Sequence, residues 1–177
     1  MAVALIVAAL PLYLSLAAAA PAPALDMAQA QQGLENLRQA ITQAQQENAC
    51  PPNRCEILFI RERQLLTFGA LSHDNQPRLV DDYELVFLTE MEMSNNSLYL
   101  ERFYTDLRQH RFALIVSDPL YTGRQGSLRE FGEENDAWAE RVAEPLLCAY
   151  QPAFEIPNNA VVLLPRTGAP PPGCPSQ

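Results

Sequence analysis

Three carboxylates and an arginine, Asp118, Arg124, Glu133 and Asp136, fall within one stretch of the chain, ALIVSDPLYTGRQGSLREFGEENDAW. Asp118 follows an apolar run that reads as a buried strand, and in open parallel sheets ligands gather beyond the carboxyl ends of such strands. The next loop, Gly123-Arg124-Gln125-Gly126-Ser127, offers backbone N–H groups and a guanidinium, the chemistry of an anion cradle. Its glycine spacing matches neither the dinucleotide nor the P-loop fingerprint, so a surface turn is the simpler reading. Glu133, Glu134 and Asp136 precede the single tryptophan, Trp138. At a helix start they favour the positive end of its dipole, and Asn135 or Asp136 can cap its free N–H groups. The sharper alternatives are a cation or sugar held by these carboxylates, or a small enzyme using Asp118 with Glu133 or Asp136.

The remaining polar groups offer less. Asp81-Asp82 and the pair Glu90 and Glu92 read as solvated faces, and nothing sets them opposite one another as a glycosidase pair. No serine sits in a G-x-S-x-G elbow, and no cysteine has an evident histidine partner. Asn95-Asn96-Ser97 is formally a glycosylation acceptor, while Ser97 can instead cap the next helix with help from Glu101. No catalytic residue, cofactor fingerprint or metal set is assigned. CPPNRC has four residues between its cysteines and no second compact pair to complete a zinc site, and His73 and His110 stand alone. Cys50, Cys55, Cys148 and Cys174 read as up to two disulfides with three possible connectivities. Cys50–Cys55 is the local choice, which would leave Cys148–Cys174 to pin the tail onto the body.

Positioning these groups falls to an α/β arrangement. Residues 26–48 carry Leu34, Leu37, Ile41 and Ala44 at three- and four-residue steps, an amphipathic connecting helix with a glutamine-rich outer face. Glu56 to Ile60 is a buried-type strand. Arg61 to Gly69 reads as a helix closed by Gly69 or as a turn and strand, and Ser72 to Arg78 as a loop. YELVFLTEMEM fits a strand at 85–88 or a helix. Ser97 to Gln109 is helical, Phe112 to Val116 the clearest strand, Asp136 to Leu147 a helix and Val161 to Leu164 a closing strand. Strands alternating with helices predict a small, mainly parallel sheet covered by helices over 50–166. Residues 167–177 are a Pro-rich tail expected to be disordered.

At the other end, no charged residue occurs from Ala2 to Leu25, and about 20 apolar residues suffice to cross a bilayer. Residues 1–25 therefore read as a membrane span or a signal peptide, the latter on the strength of small-residue sites such as Ala18-Ala19-Ala20. The first basic residue is Arg38, so the basic start usual for a signal peptide is missing. The expected location is membrane-anchored, with the domain outside the cytoplasm. The net charge of −9 and the lack of a basic stripe argue against a nucleic-acid partner.

RQLLTFG, VFLTEMEMSNN, YLERFYTDLRQHRFALIVSDPL and FGEENDAWAERVAEPLLC together resemble the extracytoplasmic C-terminal portion of bacterial integral-membrane glycosyltransferases. The family in question is the GT-C type that includes relatives of dolichyl-phosphate-mannose-protein mannosyltransferase. The resemblance covers Leu5 to Arg166, with residues 5–25 matching the last membrane span. It implies a partner in the membrane portion of such an enzyme, which moves a sugar from a lipid-phosphate carrier to an acceptor. The family's acidic catalytic residue lies in an early loop between N-terminal spans. This chain has no match to that loop, so the resemblance implies a non-catalytic C-terminal domain or a fragment. An independent exported binding module is the alternative.

Overall fold

A computed structural model of the chain describes residues 27–47, 55–61, 78–80, 82–156 and 160–174. Five strands form one sheet: β1 (Glu56–Ile60), β2 (Arg78–Val80), β3 (Phe112–Ser117), β4 (Tyr150–Ile156) and β5 (Ala160–Pro165), in the order β2-β1-β3-β5-β4. The helices are α1 (Met27–Glu47), α2 (Leu85–Met93), α3 (Ser97–Arg108), α4 (Gly132–Trp138) and α5 (Glu144–Ala149), the last two joined through a π-helical segment, Ala139–Ala143. The α/β class is as expected, but the sheet is mixed. β1 pairs in parallel with β2 and β3, whereas β5 runs antiparallel to β3 and β4. Only three residues separate Ile156 from Ala160, too few for the crossover that a parallel pair requires.

The centre of the sheet is buried on both faces, and apart from Glu56 and Ser117 the residues of β1 and β3 are apolar. On one face Ile57, Phe59, Leu114 and Val116 meet Leu37, Ile41 and Ala44, the stripe that made α1 amphipathic. On the other, Leu58, Ile60, Phe112 and Ile115 meet Leu88 of α2, Phe103 and Leu107 of α3, and Val142 and Leu146. Burying each such side chain contributes about 1.5–3 kcal/mol. A bulge reconciles β3 with both layers: Glu56 pairs Phe112 but Ile57 pairs Leu114, leaving Ala113 as the extra residue. Phe112 thereby reaches the same core as Ile115, while Ala113 and Leu114 both face α1.

Local chemistry sets the helix boundaries. The 85–93 segment is a helix, started by the Glu84 carboxylate, which accepts from the Phe87 N–H at 3.1 Å. Asn96, not Ser97, caps α3, its Oδ1 accepting from the Tyr99 N–H at 3.2 Å. Pro145 explains the irregularity after Trp138. It has no N–H for the Arg141 carbonyl, the helix preceding it is wound as π, and that carbonyl accepts the Tyr104 hydroxyl at 3.0 Å instead. β4 begins directly after α5 and places Pro152 on a sheet edge, where a missing N–H is tolerated.

Cys148 and Cys174 form a disulfide with their Cα atoms 5.6 Å apart, which ties the irregular 166–174 segment back to α5. Cys55 is also disulfide-bonded. Cys50, the 61–69 alternatives beyond Arg61, and the span or signal at 1–25 lie outside the described residues. Among the described residues no helix is long and apolar enough to cross a membrane.

Candidate functional site

From β1 the chain moves outward to β2 and then returns across β1 to β3. This reversal leaves a crevice at the carboxyl ends of β1 and β3, the place where open α/β sheets hold ligands. A cleft of about 470 Å³ lies there, floored by Ile60, Ser117 and Asp118. One wall is α2, through Leu85, Val86, Thr89 and Glu90, and the other is α4, through Glu134, Asn135 and Trp138. The irregular Pro119–Tyr121 segment closes a third side.

Asp118 is therefore where its place after β3 predicted. Its carboxylate is 3.1 Å from the Arg61 guanidinium, which projects from the end of β1, so the ion pair bridges the two strands that flank the reversal. The buried Ser117 hydroxyl donates to the Asp118 carbonyl at 2.8 Å and holds the strand end in place.

The other three predicted residues do not join it. Asp136 was expected at the helix start, but α4 begins four residues earlier, after Phe131 in the left-handed region (φ 57°). No side chain caps it. Glu133 and Glu134 occupy its first turn, where the dipole favours them, and Glu133 is exposed. Asp136 instead turns its carboxylate onto the preceding loop, accepting the Gln125 N–H at 2.6 Å and the Gly126 N–H at 3.0 Å. Arg124 donates to the Asp136 carbonyl at 2.7 Å and to Glu144 at 2.9 Å. Two backbone N–H groups of the Gly123–Ser127 loop thus hold an anionic group, and it is the protein's own Asp136. Gly132 makes the close approach feasible, because a Cβ there would stand 2.0 Å from the Gly126 carbonyl oxygen.

No family model, curated protein or solved structure matches the chain.

Two further polar groups escaped the sequence reading. Glu92, taken for a solvated residue, is completely buried in α2, and burial pushes its pKa up to about 7, with Arg141 pulling down and Glu134 pushing further up. Its position in YELVFLTEMEM gives it away only once the segment is known to be a helix: Leu85, Leu88 and Glu92 then follow at steps of three and four. The second is Arg111 at the opposite, amino end of the strands. It donates to Glu56 at 2.5 Å, Asp106 at 2.7 Å and Asp82 at 3.2 Å, while Tyr83 also donates to Asp106 at 2.6 Å. Every charge in this cluster has a partner, and it clamps β1, α3 and the start of β3 together.

The crevice can thus present carboxylate, amide and hydroxyl acceptors beside two aromatic rings, Trp138 and the 74% exposed Tyr121.

Proposed function

We propose that this chain is the non-catalytic extracytoplasmic domain of a membrane glycosyltransferase that uses a lipid-linked sugar, and that it holds a saccharide in the crevice between β1 and β3. The crevice lining supports the saccharide half of this reading. A sugar ring has an apolar C–H face and a hydroxyl edge; Trp138 and Tyr121 suit the face, and Asp118, Glu134, Glu90 and Asn135 accept from the edge. Acidic groups in this number disfavour a phosphate or nucleotide ligand. The disulfides at Cys148–Cys174 and Cys55 favour an oxidising compartment outside the cytoplasm. The internal engagement of Arg124 and Asp136 favours a scaffold role for them over chemistry.

Two experiments test the two halves. Titration of the purified chain with mannose- and glucose-containing oligosaccharides, followed by amide NMR, should shift Ser117, Asp118, Asn135 and Trp138. Shifts spread elsewhere, or none with any sugar, remove the crevice ligand. Reading the DNA upstream of the Met1 codon tests the parentage. An open frame encoding further apolar spans supports a transferase tail, and a stop codon preceded by a ribosome-binding site favours the independent exported module.

A further inference from the structure

The walls of the crevice, α2 and α4, meet at a seam that hides an ionisable group the ligand site does not use. Glu92, in the last turn of α2, has no exposed surface, and among the described residues neither carboxylate oxygen has a hydrogen-bond partner. The Arg141 guanidinium from the π segment donates to the backbone carbonyl of Glu92 and not to its carboxylate. Glu134 from α4 opposes a negative charge at Glu92, and Tyr104 from α3 lies within its electrostatic reach. Among the described residues the charged neighbours are thus one cation directed at the backbone and one like charge that itself lines the crevice.

A neutral carboxyl group is tolerated in such a place far better than a carboxylate, which has lost its water and gained no hydrogen bond. An ionised Glu92 regains solvation only by parting α2 from α4 or by swinging toward Arg141. Parting the two helices displaces the same segments that hold Glu90, Glu134 and Trp138 around the crevice. We propose that Glu92 is a protonation-controlled latch between α2 and α4, shut when neutral and released when ionised, so that pH regulates access to the crevice. The inference deepens the ligand site proposed above and rests on it only for the identity of what enters. Its titration range near neutrality fits a switch in the compartment outside a cell, where pH varies.

Trp138, the only tryptophan, stands in the α4 wall and reports the latch without any ligand. Its fluorescence in the full chain, followed between about pH 5 and about pH 9, should move to longer wavelength with a midpoint near neutrality. Glu92→Gln should keep the short-wavelength emission throughout. The same transition in Glu92→Gln, or its absence from the wild type, overturns the latch. Should the variant fail to fold by circular dichroism, carbon NMR of the glutamate carboxyls in the wild type decides: a Glu92 resonance titrating in the ordinary carboxylate range overturns the proposal. Saccharide titration separates the two readings. A latch transition with no saccharide binding removes the ligand alone, and binding of equal strength above and below neutrality removes the latch alone. The expected result is an affinity difference of about tenfold between the two states.

Discussion

Arg61 and Asp118 form a 3.1 Å ion pair across the carboxyl ends of two neighbouring parallel strands. The chain reverses its progress across the sheet at this point, so the pair bridges the two strand ends beside the crevice. Both side chains are partly solvated, at 26% and 45% exposure, and such pairs contribute little to folding. Asp118→Asn should therefore cost less than about 1 kcal/mol in urea denaturation. Saccharide affinity should fall by about tenfold, as expected for one hydrogen bond to a charged group. Unchanged affinity in isothermal titration would take Asp118 out of the site.

Asp136 predicts a different balance. Its carboxylate accepts two backbone N–H groups of the Gln125–Gly126 turn, both charge-assisted, and this brace links the loop to α4. Asp136→Ala should lower stability by about 1–2 kcal/mol. Amide exchange at Gln125 and Gly126 should quicken well before exchange in β3 does. Equal protection of those two amides in the variant would show that the brace is not what orders the loop.

Glu92 makes stability depend on pH with a definite sign. Its pKa in the fold is about 7, against an ordinary 4.5. Between those values the folded chain holds a proton that the unfolded chain has already released. Raising the pH therefore drains stability through this window, and the loss levels off above about 7. The full loss is on the order of 3 kcal/mol. Urea midpoints at the acidic and basic ends of the window should differ in this direction for the wild type and much less for Glu92→Gln. A wild type that gains stability over the same range would contradict the burial argument.

Arg111 serves three carboxylates at once, and two of them, Glu56 and Asp106, have side chains only 15% exposed. Removing the guanidinium leaves those charges with too few partners. Arg111→Ala should cost about 3 kcal/mol or more. Lysine should rescue little of it, since a point ammonium cannot donate along three directions of a planar fork. Thermal denaturation of both variants checks this, and near-complete rescue by lysine would mean that charge alone, without the fork geometry, holds the cluster.

Some of this was legible in the chain itself. The apolar runs of β1, β3 and β5 and the stripe on α1 are local patterns, written in residue spacing, and each appears where that spacing places it. Asp118 could be nominated because a residue that directly follows a strand must lie at the strand's end. Leu85–Met93 was ambiguous because its residues are apolar with too little periodicity to separate strand from helix. β4 was overlooked because Pro152 and an exposed outer face hide the alternation of an edge strand.

By itself, then, the sequence determined the α/β class, the three buried strands, the amphipathic helices and one residue of the crevice floor, all of which depend on neighbours a few positions apart. The tertiary structure alone decided the mixed direction of the sheet, the engagement of Asp136 by a loop ten residues upstream, and the burial of Glu92 beneath Arg141, 49 residues away. Those outcomes depend on which distant surfaces come together. A carboxylate written in the chain carries no mark of whether the side it faces will meet water or another helix.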